Sequence, residues 1–240
     1  MKSLRRGLLI FGLLVCSQAF ADFAATEAEY RAWPDYCQAK YGLTNIGGQM
    51  GFSGRATPVQ IKKAKLLLGR FFVHVHHYCW AIAEEKRYLH TTKESTRNHW
   101  LGMATGDAGY SLQRIDSSNV LYPMVVAVNA RLEFYAGNAT KALNILDDGI
   151  KMRAKSQILY YFKAFILRKL GKKHRAQRTL QVGAAVIHNP GSEYHYLYGI
   201  VCLETDDLNC ARKHAEKAYK MGYPLPGLKL LLRKKGIVLK

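Results

Sequence analysis

Along the second half of the chain, apolar and polar positions follow a helical period, and the pattern itself recurs. Three segments align: PMVVAVNARLEFYAGNATKALNILDDGIKMRAKS from Pro123, QILYYFKAFILRKLGKKHRAQRTLQVGAAVIHNP from Gln157, and SEYHYLYGIVCLETDDLNCARKHAEKAYKMGYP from Ser192. In each, a small residue on a first helix is followed twelve residues later by an alanine on a second: Ala130/Ala142, Ala164/Ala176 and Gly199/Ala211. The turns between them are Gly137-Asn138, Gly171-Lys172 and Asp206-Asp207. The repeats are spaced 34 and 35 residues apart. Two antiparallel helices approach closely only where small side chains let their backbones meet, and glycine supplies the left-handed conformation that helix ends favour. Leu146, Tyr160, Leu167 and Leu180 then fill the remaining space. A single hairpin cannot bury its apolar face, so neighbours stack. The expected class is all-α, a solenoid of antiparallel helix hairpins.

The register of these positions resembles the tetratricopeptide repeat. Small residues fall at the eighth and twentieth positions, glycine at the fifteenth, and Pro190 and Pro224 near the repeat ends. Asp206 departs from the pattern at the third turn, and Gly149 and Gly183 stand where an alanine is usual. The resemblance implies that successive first helices line a concave face. Carried over residue by residue, that face receives Arg131, Phe134 and Tyr135, then Tyr161, Phe165, Arg168 and Lys169, then Tyr196, Ile200 and Leu203. The family's clamp for C-terminal carboxylates is not intact, because its positions hold Ala127, Arg131, Tyr161, Phe165 and Lys169. An aromatic groove with a basic edge suits an extended peptide or a sugar chain. The alternative is that part of these rings pack between repeats.

Upstream, the pattern predicts a short helix over 34–41, a glycine-rich flexible loop over 44–56, and a long helix over 58–90. Thr57 is the N-cap of that long helix and Pro58 its first position. A return helix follows over 100–114 after a loop at 90–99. Ala81 and Ala104 fill the two small-residue roles of a degenerate zeroth repeat. A capping helix is expected over 225–235. The strings Asp35-Tyr36-Cys37 and His74-Val75-His76-His77-Tyr78-Cys79-Trp80 resemble a group of exported bacterial tetratricopeptide proteins, a likeness that implies a family and no chemistry.

The first 21 residues read as a secretory leader. Lys2, Arg5 and Arg6 precede an apolar run too short to span a bilayer, and Ala19-Phe20-Ala21 forms an A-x-A cleavage site. A lipoprotein reading at Cys16 is weaker, because Val15 stands where a small residue is wanted; a retained anchor is the other alternative. The expected compartment is the periplasm. The expected division is a leader over 1–21, an N-terminal helical region over 22–122, and three repeats with a cap over 123–240.

Cleavage after Ala21 leaves Cys37, Cys79, Cys202 and Cys210. An even number in an oxidising compartment favours disulfides. Folding the third hairpin at its turn brings Cys202 to Cys210. Cys37 and Cys79 are then left to tie the N-terminal segment to the long helix.

The chain carries 36 Lys and Arg against 17 Asp and Glu, a formal charge of +19 that falls to +16 when Lys2, Arg5 and Arg6 leave. From Gly149 to Ser192 there are ten Lys and Arg and no acid, and from Lys217 to Lys240 seven more and no acid. Lys163, Lys172, Lys173, Arg175 and Arg178 are the candidate anion-binding residues of the first zone. Summed over adjacent elements, such zones should attract an anionic partner: acidic polysaccharide, anionic lipid or an acidic protein. Export disfavours nucleic acid.

His74 and His77 share a helix face while His76 points elsewhere, and no acid lies between Asp35 and Glu84. Packing or hydrogen bonding explains them better than a metal, which needs three or four converging ligands. No nucleophile elbow, phosphate-binding loop or dinucleotide fingerprint occurs, so no catalysis and no cofactor is expected. The sequence therefore points to an exported scaffold that binds a protein partner in the cell envelope through its aromatic groove. The alternative is a binder of anionic polysaccharide or membrane surface.

Overall fold

Helix caps fix where the N-terminal elements begin. The computed structural model describes residues 23–239. The leader, its cleavage site and Cys16 lie outside them. Thr26 and Glu29 form a reciprocal capping box that opens α1 (Glu27–Ala32). Helix α2 spans Asp35–Tyr41, and Thr44 caps a short α3 (Asn45–Gln49). Thr57 and Gln60 form a second capping box ahead of α4 (Pro58–Leu68), with Pro58 in the first turn.

Gly69, at φ 53°, ends that helix. A 3₁₀ segment (Gly69–Val73) follows, and then α5 (Val75–His90). The single long helix expected over 58–90 is thus broken, because the left-handed backbone at Gly69 cannot continue an α-helix. Helix α6 spans Glu94–Arg114, so most of the loop expected at 90–99 is helical. Within the stretch 44–56, Asn45–Gln49 is helical. Gly47 lies so close to the Tyr41 carbonyl that a Cβ would overlap it, and Phe52 is buried and stacked on Tyr30 at 4.4 Å. At Gly47 glycine permits a close backbone approach.

These elements make the first of two compact units, which divide between Val120 and Leu121. Its core is aromatic: Tyr30, Trp33, Tyr41, Phe52 and Trp80 are buried and, apart from the Tyr30–Phe52 stack, meet edge-on or tilted. The Cys37–Cys79 disulfide joins α2 to α5 with a Cα separation of 5.7 Å. Arg87 adds a second tie, donating to both carboxylate oxygens of Glu29 (2.7 and 2.9 Å) and to the Ala24 carbonyl. Helices α5 and α6 pack along each other, with Ala81 and Ala104 fully buried.

The second unit holds three helix hairpins: α7 (Tyr122–Tyr135) with α8 (Ala139–Met152), α9 (Gln157–Lys169) with α10 (Lys173–Val186), and α11 (Ser192–Glu204) with α12 (Leu208–Lys220). The cap α13 spans Gly227–Lys234 and is anchored by fully buried Leu228 and Leu232. No strand occurs among the described residues, and the class is all-α. All six paired small residues, from Ala130/Ala142 to Gly199/Ala211, are buried. The hairpins stack as the tetratricopeptide likeness implies. First helices pack on one another (α7 on α9, α9 on α11), and each second helix packs on the next first helix (α8 on α9, α10 on α11).

Candidate functional site

The turns set the register of the inner row. Gly137 and Gly171 take positive φ, and so does Asp206 at 58°. In each turn the backbone closes in the same way: Asn138 N–H donates to Glu133 O, Lys172 to Leu167 O and Asp207 to Cys202 O, all at 2.9 Å. The third turn lacks glycine but carries other supports. The Cys202–Cys210 disulfide spans it, and the Asp207 side chain accepts from the Cys210 N–H at 3.0 Å.

The unusual glycines of the second helices now have a reason. A Cβ at Gly149 would stand 2.7 Å from a Val126 methyl. One at Gly183 would stand 2.8 Å from Tyr160 and against the Tyr194 hydroxyl. Glycine makes room for large first-helix side chains. Buried Tyr194 donates to the Leu180 carbonyl at 2.5 Å, and burial raises its phenol pKa.

The first helices present a row of half-buried rings. The Arg131 guanidinium lies over the Phe162 ring at 4.7 Å, joining α7 to α9. Phe134 and Tyr135 lie side by side at the end of α7, with ring centres 6.1 Å apart. On α9, Phe162 meets Tyr161 at 5.1 Å and Phe165 at 6.4 Å, and the Lys169 ammonium lies 5.7 Å from the Phe165 ring. On α11, Tyr196 stacks on Tyr223 at 4.1 Å. Burial first, and then the neighbouring Tyr161, Tyr196 and Glu193, raise the Tyr223 pKa, which places these groups in one cluster. Tyr161, Phe165 and Tyr196 rest partly on the core, while Ile200 is buried within it. Ile200 therefore packs between helices rather than facing a groove. Phe162 and Tyr223 were missed from the sequence. Phe162 adjoins Tyr161 and falls between two assigned positions; Tyr223 lies beyond the third hairpin, where the repeat pattern gives no guidance.

The basic run is less uniform in space than in sequence. Lys163 pairs with Asp147 of α8, and Lys151 with Asp148 at 2.8 Å. Arg168 forms a forked pair with Glu204 of α11, with contacts of 2.8 and 2.5 Å. Lys173 donates to the Glu204 carbonyl at 2.7 Å. The acids that flank the acid-free run fold back onto it, so Lys163 and Arg168 tie repeats together. Lys172, Arg175 and Arg178 are exposed, with no ion pair among the described residues.

In the first unit His74 and His77 both meet Tyr110, with ring centres 5.7 and 3.9 Å away, and the His76 ring lies 4.3 Å from that of His77. His74 Nδ1 lies 3.2 Å from the Tyr110 hydroxyl, and His77 Nδ1 lies 2.6 Å from Asp107. Helix α6 thus supplies the carboxylate absent from the histidines' own stretch. Burial, reinforced by His77, pushes the pKa of His76 down to about 4. Elsewhere, Cys202, Asp207 and Cys210 bring donor atoms together, but both sulfurs are joined in the disulfide.

No protein-family model matches the chain, and no curated protein matches it. Among solved structures, the chain is similar to a tetratricopeptide repeat protein from Parabacteroides merdae ATCC 43184. The identity is 19%, the TM-score 0.48, and the match covers 83% of each chain. It is also similar to a MamA RS-1 ArsTM double mutant, at 16% identity and TM-score 0.45, covering 65% of this chain and 84% of that one.

Proposed function

We propose that the repeat unit is a non-enzymatic scaffold that receives an extended segment of a protein partner along its first-helix row, in the cell envelope. The observation that carries this reading is the row of half-buried rings on and beside the first helices, from Arg131–Phe162 and its neighbours Tyr161 and Phe165 to Tyr196–Tyr223, with Tyr161 near Tyr223. Packed helix axes lie about 9 Å apart. An extended chain covers that distance in about three residues. A peptide with apolar or aromatic side chains at that interval would set one against each repeat. Lys169 and Glu193 offer charges of opposite sign at the edges of the row, which suits a polypeptide of mixed charge better than a uniformly charged polymer.

The test is capture from envelope extract by the mature chain, washed at low and then high salt. A stoichiometric protein retained at high salt, and lost when Phe165 and Tyr196 are both changed to Ser, is the expected result. Equal capture by that variant would overturn the reading. The second reading, an anionic polymer or surface held electrostatically, is favoured by the three exposed cations Lys172, Arg175 and Arg178. It predicts retention that disappears at high salt and on reversing those three charges.

A further inference from the structure

A different surface, in the first unit, points to a second kind of partner. Helix α4 buries only Ala64 and Leu68. Its opposite side carries Val59 and Leu66, the latter 76% exposed, and exposed Leu67 lies at the margin beyond Lys63. Single exposed leucines are ordinary on protein surfaces. Here, at 100° per residue, Val59 and Leu66 fall on one outward line, with Lys62 on one flank and Lys63 on the other. Past the helix end Arg70 and Val73 are also exposed, and Arg70 lies near enough to Asp116 to lower its pKa, after the Ser118 hydrogen bonds that dominate that shift. The sequence holds no acid between Asp35 and Glu84. In space, none of Lys62, Lys63 and Lys65 joins an ion pair among the described residues. The Lys65 ammonium instead lies 6.0 Å from the Phe72 ring, which Lys40 also approaches at 5.8 Å.

We propose that this face docks α4 flat on an anionic phospholipid bilayer. Val59 and Leu66 would enter the headgroup–acyl boundary, with Leu67 at its margin, and the lysines would reach up to lipid phosphates. Charge complementarity selects this occupant. A second copy meeting the same face about a two-fold axis would set Lys62 and Lys63 against their own counterparts. A hydrophilic polyanion would use the lysines and leave the leucines in water. A bilayer uses both, because long basic side chains keep their charge at the interface while their stems cover apolar surface. An 11-residue helix lies about 16 Å along such a surface. The proposal is independent of the groove, which lies in the other unit.

Flotation of the mature chain with vesicles tests it, comparing phosphatidylcholine alone with phosphatidylcholine carrying phosphatidylglycerol. The chain should float with the anionic vesicles and not with the neutral ones. Changing Lys62, Lys63 and Lys65 together to Gln should weaken binding about 100-fold, at about fivefold per basic residue. Changing Leu66 and Leu67 to Asn, positions whose exposure leaves the fold intact, should weaken it at least about tenfold. Far-UV circular dichroism and the retained Cys37–Cys79 disulfide verify folding. Reversing Lys172, Arg175 and Arg178 should leave flotation unchanged, as should the groove variant. Failure of the unaltered chain to float, or undiminished flotation of Leu66→Asn/Leu67→Asn, would overturn the proposal. So would loss of flotation through the second-unit reversal alone.

Discussion

His195 and His214 face each other inside the third hairpin, with their Nδ1 atoms 2.9 Å apart, so one ring donates and the other accepts. Both are buried, and Tyr198 stacks on His214 at 3.9 Å. Burial, with His195 and Lys217 nearby, pushes His214 down to about 4. His195 shifts the same way, by burial and Lys217. A base held neutral by the fold binds fewer protons folded than unfolded, so its stability contribution is complete above the unfolded value near 6.5 and is lost as pH falls towards 4. Stability should therefore decline through that window, by on the order of 3 kcal/mol from His214. His76 adds a contribution of the same sign. Thermal melts at pH 7 and pH 5 check this. His214→Asn should flatten the dependence, and a melt unchanged between those pH values would refute it. Glycine contacts give a second prediction at this scale. Gly199→Ala would place a Cβ 2.5 Å from Leu228 and should cost about 1–3 kcal/mol in a denaturant titration. The small-residue roles at 130, 142, 164, 176, 199 and 211 were legible in the sequence because helix contacts demand them at fixed spacing. The histidine pair was not, because its partners sit 19 positions apart on two helices with no motif between them.

At the scale of elements, local chemistry explains what was read and what was missed. Hairpins of the second unit were legible from period and turn residues. The break at Gly69 was not, since one glycine within an apolar run does not announce its φ. Helices α1 and α3 went unread because they are short and owe their place to aromatic burial and Thr caps rather than to a long periodic pattern. Both disulfides pair as the layout implied. Loop closure over a separation of 42 residues should make loss of Cys37–Cys79 cost about 4 kcal/mol, against about 2.5 kcal/mol for Cys202–Cys210. Paired Cys→Ser variants compared by urea unfolding measure the difference; equal losses would contradict the loop-closure account. Asp206 holds a left-handed backbone that glycine would adopt without steric cost. Asp206→Gly should therefore raise stability by about 1 kcal/mol in the same assay.

Across the whole molecule, the charge of the first acid-free run differs most from its sequence reading. Runs without an acid suggest a continuous positive field, yet Asp147, Asp148 and Glu204 return to the run they flank and pair with Lys163, Lys151 and Arg168. What remains outside these pairs is an exposed set on α10, another on α4, and Lys217, Lys220, Lys229, Arg233, Lys234 and Lys235 of the second acid-free stretch. The aromatic row was legible in outline, through the repeat register that assigned Tyr161, Phe165 and Tyr196. Its cross-repeat contact through Phe162 and its extension to Tyr223 depend on packing that the register does not encode. The claim that this row is the binding surface is tested most directly by site-specific photocrosslinking in envelope extract. A photoreactive phenylalanine derivative would be placed at Phe165 on the inner row or at Val182, 51% exposed on a second helix. The account predicts one discrete protein adduct from position 165 that persists at high salt, and none from position 182. Adducts of equal yield from both positions, or an adduct from 182 alone, would contradict it.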